Sequence, residues 1–342
     1  MEYGAIDLHM RRSEIQIEDE QGQVTLARRI DTRRDEFERV FRDRPRMRML
    51  LESATESEWV AQCLEGLGHE VIVADPNYAP MYGQRHRRVK TDKRDVAALC
   101  AACRTGTYRS ASRVSAAQRA RRQELRVRRH LIQMRTRSIS LLRALVRQEG
   151  LRLPRGSSDA IVARLDQVAL PPALGRVLTP VRAVLVALHT TLEAIEDRIE
   201  TLANHDDTAQ RLMTAPGVGP IVALTYVAVL DTPARFGADA RRASAFLGLV
   251  PSEDSSGERR HKGGITKTGP PELRSLLIQA SWTIWRGRTA AGVALRTWAH
   301  ALAARRGRRV AIVALARRLS RILFAMWRDE TTFEYRQPAI AA

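Results

Sequence analysis

The first hundred residues alternate strand-like and helix-like segments, and this alternation constrains the fold more than any other feature of the sequence. Three short apolar or alternating stretches come first and predict a three-stranded meander: 3–8, 14–18 and 24–30. Predicted helices and strands then take turns over 31–42, 47–51, 58–67, 71–74 and 92–102. This order is typical of an α/β domain whose later strands pair in parallel. We expect the first and fourth strands to be neighbours.

The pattern changes near residue 110, where long helical periodicity replaces the strand-like alternation. Residues 104–155 contain fifteen Arg and two acids, which leaves a local charge of +13. A seam of apolar residues spaced alternately by four and three follows and predicts a heptad-type helix: Val181, Leu185, Leu188, Leu192, Ile195, Ile199 and Leu202. Breaks at 150–154 and 171–172 fit either an internal antiparallel hairpin or a dimerisation coiled coil. The sequence favours neither.

The charge balance narrows the class of partner. Fifty-seven Lys and Arg against 38 Asp and Glu give a net charge of +19 and a pI near 11.1, which indicates a protein that neutralises phosphates. Three Cys cannot build a disulfide framework. No uninterrupted apolar run reaches the roughly 18 residues of a membrane helix. We therefore expect a cytoplasmic protein that binds nucleic acid and has no membrane partner.

Four acids stand where the predicted topology would bring them together. Asp7 and Glu52 end the first and fourth strands, and Asp92 and Asp95 share one face at the start of a helix. Four carboxylates around one point repel unless cations hold them, and Mg²⁺ ions bridging a phosphate are the usual solution. Taken singly, each acid fits an ordinary strand end or helix cap. The ordered set favours a metal site.

Several basic residues and glycines are candidate contacts to nucleic acid. Lys90 and Lys93 flank Asp92, where they would offset carboxylate repulsion and could contact a DNA phosphate. Taken alone, the two lysines are better explained as a solvated helix start. Gly217 and Gly219 lie in a Pro-Gly-Val-Gly-Pro turn that looks like a helix-hairpin-helix and would let backbone amides approach a phosphate. Such a turn also occurs as a plain connection between helices. The candidates within the Arg-rich segment are two couples of arginines that are adjacent in sequence: Arg121, Arg122, Arg128 and Arg129.

Residues 252–269 combine hydroxyls, flexible glycines and basic side chains ahead of a helix that starts near Glu272. A serine that attacks DNA needs neighbouring cations to stabilise the phosphorane-like transition state and to lower the proton affinity of its hydroxyl. Ser255 or Ser256 would be that nucleophile. The candidate cations are Arg259, Arg260, Lys262, Lys267 and Arg274. The residues alone favour a simpler interpretation, a basic loop that binds phosphate passively.

Taken in order, these motifs resemble the DEDD transposases of insertion-sequence family 110. The resemblance rests on Gly-Ala-Ile-Asp at 4–7, Glu-Ser-Ala-Thr at 52–55, Lys-Thr-Asp-Lys-Arg-Asp at 90–95 and the turn at 216–220. It continues through Leu-Gly-Leu-Val-Pro at 247–251, Ser-Ser-Gly at 255–257 and Ile-Thr-Lys-Thr-Gly at 265–269. The chain departs from the family pattern at 55–59 and at Pro270-Pro271, which would shift the start of the following helix.

The resemblance implies an α/β plus all-α architecture in three parts. An RNase H-like (RuvC-like) domain over 1–108 would bind Mg²⁺ through Asp7, Glu52, Asp92 and Asp95. An Arg-rich coiled-coil linker over 109–205 would join it to a mostly helical transposase domain over 206–330. A serine there would form a covalent 5′-phosphoserine intermediate with DNA, in a composite site with the carboxylates of another subunit of a dimer or tetramer. A noncoding guide RNA would choose the DNA.

Two other functions remain compatible with the sequence. A RuvC-like nuclease that hydrolyses with water would need the carboxylates and no serine. A noncatalytic nucleic-acid-binding protein derived from a transposase would bind with steep salt dependence and cleave nothing.

Overall fold

The computed structural model describes residues 1–83, 91–256 and 259–334, with the backbone alone at 254–256 and 259–262. The chain forms two compact units, Met1–Arg113 and Val114–Ala342. The first unit mixes helices with a sheet, whereas the described part of the second is helical apart from one β-hairpin.

A five-stranded mixed sheet forms the centre of the first unit. Its strands are β1 (Tyr3–Asp7), β2 (Arg12–Glu18), β3 (Val24–Asp31), β4 (Arg48–Glu52) and β5 (Glu70–Ala74). Their spatial order is β3-β2-β1-β4-β5. The first three strands pair antiparallel, while β4 is parallel to both β1 and β5. The predicted meander, and the predicted neighbour relation of the first and fourth strands, are confirmed.

Helices cover both faces of this sheet. They are α1 (Arg34–Phe41), α2 (Ser57–Gly66) and α3 (Asp92–Thr105), with a 3₁₀ turn at Ala79–Tyr82. Because successive strand residues point to opposite faces, Ile6 packs with Phe37 of α1 while its neighbour Ala5 packs with Leu99 of α3. The α3 face also buries Cys100 and Cys103, and burial raises the pKa of Cys103 to about 12. These two cysteines are core residues.

A long helical hairpin opens the second unit. Its helices are α4 (Ala116–Gln148) and α6 (Pro172–Asn204), joined by a loop that carries the short α5 (Ile161–Leu165). The heptad-type seam of α6 packs on α4 of the same chain, with Ile195 near Leu125 and Leu178 near Leu142. The structure therefore shows the internal antiparallel hairpin, and a coiled coil between two chains stays a prediction. Among the described helices, α6 alone has the length and composition of a membrane span.

The rest of the second unit surrounds an apolar central helix. The helices are α7 (Asp207–Met213), α8 (Pro220–Leu230), α9 (Ala240–Phe246), α10 (Pro271–Arg286), α11 (Val293–Arg306) and α12 (Arg308–Arg328). Strands β6 (Pro251–Ser256) and β7 (Arg259–Ile265) form an antiparallel hairpin. Every residue from Val222 to Leu230 is buried, because α8 is apolar on all sides and can only lie inside.

Candidate active site

The sheet brings Asp7 and Glu52 to one edge. Strands β1 and β4 are parallel, and Ile6 is in register with Leu51, so the two acids that follow end their strands side by side. Main-chain hydrogen bonds of the ladder fix both positions. The Asp7 side chain is only 13% exposed, and the Tyr82 hydroxyl donates a hydrogen bond to the Glu52 carboxylate. The sequence-based expectation that these acids lie together is therefore met by the strand order itself.

Helix α3 contributes the other two acids. It begins at Asp92 and packs against β1 and β2, which places its first turn beside the end of β1. Asp92 and Asp95 both lie in that turn, where the positive end of the helix dipole favours carboxylates. Asp95 is buried at 7% exposure, whereas the Asp92 side chain is 44% exposed. One acid thus faces the interior and the other remains open to solvent.

The pKa of Asp7 depends on its burial and on the other charged residues of the site. Burial raises the pKa of Asp7, and the negative charges of Glu52, Asp95 and Asp92 raise it further, while His9 lowers it. All three of the other predicted acids therefore act on one carboxylate. Such crowding of like charge disfavours the ionised form of Asp7 unless a cation is present.

His9 joins this group, although the sequence offered no motif for it. Its Nε2 lies 3.4 Å from Asp7 Oδ2 and 3.7 Å from Asp92 Oδ1. The three side chains offer ligand atoms that all lie within 4.8 Å of one another, a spacing that suits one metal ion. The position follows from the fold, because His9 comes two residues after the end of β1. Arg29 of β3 lies further out, 3.9 Å from Asp92 Oδ2.

The donor set fits a divalent cation. Carboxylate oxygens are the preferred ligands of Mg²⁺ and Mn²⁺, and an imidazole nitrogen adds a donor that Mn²⁺ also accepts. The partial exposure of Asp92 and His9 leaves one side open for a substrate oxygen. Of the two lysines predicted beside the site, Lys93 is exposed on the first turn of α3, and Lys90 lies outside the described residues.

The predicted serine loop belongs to the β6–β7 hairpin. Ser255 and Ser256 are the last residues of β6, and in the backbone register they stand opposite Arg260 and Arg259. Lys262 follows on β7, opposite Glu253. For these serines and for the three basic residues of β7, the backbone alone is described.

Two glycines hold the base of this hairpin together. A Cβ on Gly248 would lie 2.3 Å from the Thr268 carbonyl oxygen, and one on Gly269 would lie 1.9 Å from that of Phe246, so only glycine allows the two segments to cross. Arg274 spans the crossing and donates hydrogen bonds of 2.9 Å to the Leu247 and Thr268 carbonyls. Arg274, which the sequence predicted to contact phosphate, therefore stabilises the base of the hairpin. Lys267 is exposed, with a left-handed φ of 57°.

The turn at Gly217 and Gly219 does connect two helices, α7 and α8. Gly217 has a φ of 75°, and a Cβ there would lie 2.7 Å from the Ala280 carbonyl oxygen of α10. Packing inside the protein therefore requires that residue 217 has no side chain. Gly219 caps α8 and has open space where a Cβ would stand, so its backbone can be approached from outside.

The four arginines predicted to bind nucleic acid have partners within the chain. Arg121 pairs with Asp206 at 2.5 Å, and the Arg128 Nε donates to Glu196 at 3.0 Å. Arg129 lies 3.6 Å from Glu272.

Arg122 donates to the carbonyls of Ala228 and Val229 at 2.7 and 2.6 Å, and burial lowers its pKa. Arg128, Arg129 and Gly217 also line one cavity of about 530 Å³.

Comparisons with known proteins find matches to regions of both units. Residues 5–150 match the family model for DEDD transposases of the IS110 type, and residues 209–294 match the model described as the transposase IS116/IS110/IS902 family. A "Probable family 20 transposase" of Pseudomonas aeruginosa is 32% identical over 86% of this chain and 87% of its own length. The transposase for insertion sequence element IS1328 of Yersinia enterocolitica is 28% identical over 96% of this chain and 97% of its own length.

A third relative, the transposase for insertion sequence element IS1111A of Coxiella burnetii, is 28% identical over 78% of this chain and 74% of its own length. The matched family regions contain the acids of the first unit and the turn and hairpin of the second. The family is one of DNA recombinases that use a divalent metal. The chain belongs to the IS110 family of DEDD insertion-sequence transposases.

Proposed function

We propose that this transposase cuts and rejoins DNA with Mg²⁺ held by Asp7, Glu52, Asp92 and Asp95, and with Ser255 or Ser256 as nucleophile. The observation that carries the proposal is the convergence of four acids at the end of β1, where burial and the charges of the other three acids raise the pKa of Asp7. The β3-β2-β1-β4-β5 order supports assigning the first unit to the RNase H-like, RuvC-like class.

Each residue of the site would have a role that follows from its position. Asp7 and Glu52 are fixed by neighbouring strands and would form the rigid side of the ligand set. Asp92 is partly exposed and would meet the substrate side, with His9 close enough to complete the coordination. The bound cation would offset the negative charge that builds on the phosphate oxygens during attack. Buried Asp95 would keep the group anionic and so retain the ion.

The serine reaction would replace the phosphodiester bond of DNA by a phosphodiester bond between the serine and the DNA 5′ end. The serine Oγ would bond to phosphorus while the bond from phosphorus to O3′ breaks, and the hydroxyl proton would pass to the departing 3′ oxygen or to solvent. The 5′-phosphate would then be attached to the enzyme. Attack by the 3′-hydroxyl of a partner strand would reverse this exchange and free the serine, so joining needs no nucleotide cofactor.

Arginines and lysines around the hairpin suit the phosphates of such a reaction. Lys267 is exposed near the base of the hairpin, and the positive residues of β7 lie opposite the serines in the backbone register. We further propose that the chain works in the cytoplasm as a dimer or tetramer, in which the serine of one subunit meets the carboxylates of another. A noncoding RNA of the element would select the DNA.

Substitution of the acids and of the serines tests the two halves of this mechanism separately. Purified variants are incubated with a labelled element end and Mg²⁺, and both recombined DNA and protein–DNA adduct are measured. Asp7→Asn should lose both products, whereas Asp43→Asn, an exposed acid of the same unit, should retain them. Recombination by Asp7→Asn at the wild-type rate would refute the metal site.

The serine half has its own control. Ser255→Ala or Ser256→Ala should abolish the adduct, and the one that does so is the nucleophile. Ser252→Ala removes a hydroxyl of the same strand that is already bonded to the Gly264 carbonyl, and the adduct should survive it. If the double variant of Ser255 and Ser256 still cleaves DNA without forming an adduct, the chain is a hydrolytic nuclease. Binding by the wild type without any cleavage would indicate a noncatalytic protein.

A further inference from the structure

We propose that the tip of the α4–α6 hairpin is a docking site for the phosphates of double-stranded nucleic acid. The inference rests on the proposed function in one respect, that the protein holds nucleic acid while it acts. It concerns a part of the Arg-rich segment different from the four arginines that the sequence singled out. We call the set Arg143, Arg147, Arg152 and Arg155 the tip arginines.

A cavity of about 770 Å³ lies at this tip. Its lining includes the four tip arginines, Arg164 and Ser140, and it contains no carboxylate of the described part of the chain. Five guanidinium groups around one open space repel one another, since each is always charged. The repulsion is relieved when an anion enters, so the cavity is built for negative charge.

Among the residues that the structure describes, the tip arginines lack the acidic partners that Arg135 and Arg182 have. Within the hairpin, Arg135 pairs with Asp159, and Arg182 pairs with Asp166 at 2.6 Å. Among the described residues, no carboxylate lies within 4 Å of a tip arginine. All four are exposed. The fold therefore gives Arg135 and Arg182 an acidic partner each, and it leaves these four charges available.

Arg164 gives the loop at the tip its shape. It is buried at 5% exposure, and its guanidinium donates to the Pro154 carbonyl at 2.8 Å and to the Ser157 carbonyl. A Cβ on Gly156 would lie 2.8 Å from its Cδ, so the loop wraps closely around it. Arg164 is thus a positioning residue that orders the segment carrying Arg155.

Helix capping explains only part of this cluster. Arg143 and Arg147 lie in the last turns of α4, where positive charge stabilises the helix dipole, and Arg147 Nε donates to the Arg143 carbonyl at 3.2 Å. Arg152 and Arg155 follow the end of the helix and are not part of its last turn. Capping of α4 therefore does not account for their place in the same cavity. Phosphate suits them best, because the planar guanidinium fork matches its oxygens.

The test compares two double variants that remove equal charge from the same hairpin. Arg147→Gln with Arg152→Gln changes the tip, and Arg137→Gln with Arg176→Gln changes exposed arginines outside the cavity. Binding of a labelled two-turn duplex, as DNA in one arm and as RNA of the same sequence in the other, is measured in EDTA over a range of salt. Thermal unfolding is measured for every variant.

The tip variant should bind about tenfold more weakly than the control variant. The slope of log affinity against log salt should also become shallower by about one for each phosphate that the variant no longer neutralises. Lysine at both positions should restore most of the affinity, because charge is retained. A weakening confined to one arm identifies the nucleic acid that docks. Equal affinities of the tip and control variants would overturn the inference, whatever the outcome with Asp7→Asn. No duplex binding by the wild type would also overturn the inference, whereas the proposed function is decided separately by recombination of the element end in Mg²⁺.

Discussion

The acid site of the first unit and the first half of α4 use charge in opposite ways. Around Asp7 the fold gathers three further carboxylates, and burial together with repulsion from these carboxylates raises the pKa of Asp7. Along α4, by contrast, Arg121, Arg122 and Arg128 are each given an acid or a carbonyl of the same chain. The sequence marks both places as functional, because both are rich in charge.

Compensation of a charge within the fold, more than charge density, therefore separates structural charge from functional charge. A paired arginine is satisfied in the folded chain and has less to gain from a phosphate. Unrelieved like charge raises the free energy of the folded state and is tolerated where a ligand relieves it. On this criterion the acids at β1 and the tip arginines stand apart from the paired arginines of α4.

The largest effect should come from Asp7→Asn. We expect recombination to fall about 10³-fold or more, because a metal that offsets phosphate charge is worth several kcal/mol in the transition state. In EDTA the same variant should unfold at an equal or higher temperature than the wild type, since it removes a crowded charge. A large loss of stability would break the comparison, because the acid would then be structural.

Arg122→Ala should show the reverse pattern. This side chain is half-buried and donates to the end of α8 through the Ala228 and Val229 carbonyls, so its removal should lower the free energy of unfolding by about 2–3 kcal/mol. Arg126→Ala, on the exposed side of the same helix, is the matched control and should be near neutral. Urea denaturation measures both. Unchanged stability in Arg122→Ala would contradict the structural role.

A smaller effect is expected for His9→Ala. The imidazole stands within ligand distance of Asp7 and Asp92, and its removal should weaken Mn²⁺ binding about tenfold. His130→Ala, an exposed histidine of α4, serves as the control. Calorimetric titration with Mn²⁺ compares them. Equal affinities would show that the carboxylates bind the ion without His9.

The smallest effect should follow Arg129→Gln. Its carboxylate partner, Glu272, lies 3.6 Å away and the arginine side chain is 42% exposed, so the pair should contribute at most about 1 kcal/mol to stability. The unfolding midpoint measures this contribution. A destabilisation as large as that of Arg122→Ala would remove the distinction between solvent-accessible ion pairs and the more deeply placed hydrogen bonds of Arg122.

Much of the first unit could be predicted from local patterns. Strand alternation and the strand–helix order suffice to place β1 beside β4, and so to bring Asp7 near Glu52. The seam of α6 likewise predicted a helix and one buried face. The sequence could not decide which helix would cover that face, because a seam of Leu and Ile packs equally well on its own chain or on another.

Other features depend on contacts between distant segments and had no local signal. Arg274 carries a positive charge in a basic loop, yet its hydrogen bonds go to carbonyls that only the folded crossing brings near. Gly217 looks like a phosphate-binding glycine until Ala280 of α10 is seen against it. His9 follows a strand end without any motif, and only the position of α3 reveals its neighbours.

Metal binding by the four acids can be measured with Mn²⁺ in the absence of DNA. The electron paramagnetic resonance signal of free Mn²⁺ is followed as protein is added, for the wild type and for the double variant Asp7→Asn with Asp95→Asn. We expect the wild type to remove the free signal in a saturable manner and Mg²⁺ to restore it by competition, whereas the double variant should leave the signal unchanged. Equal uptake of Mn²⁺ by a folded double variant would contradict the account.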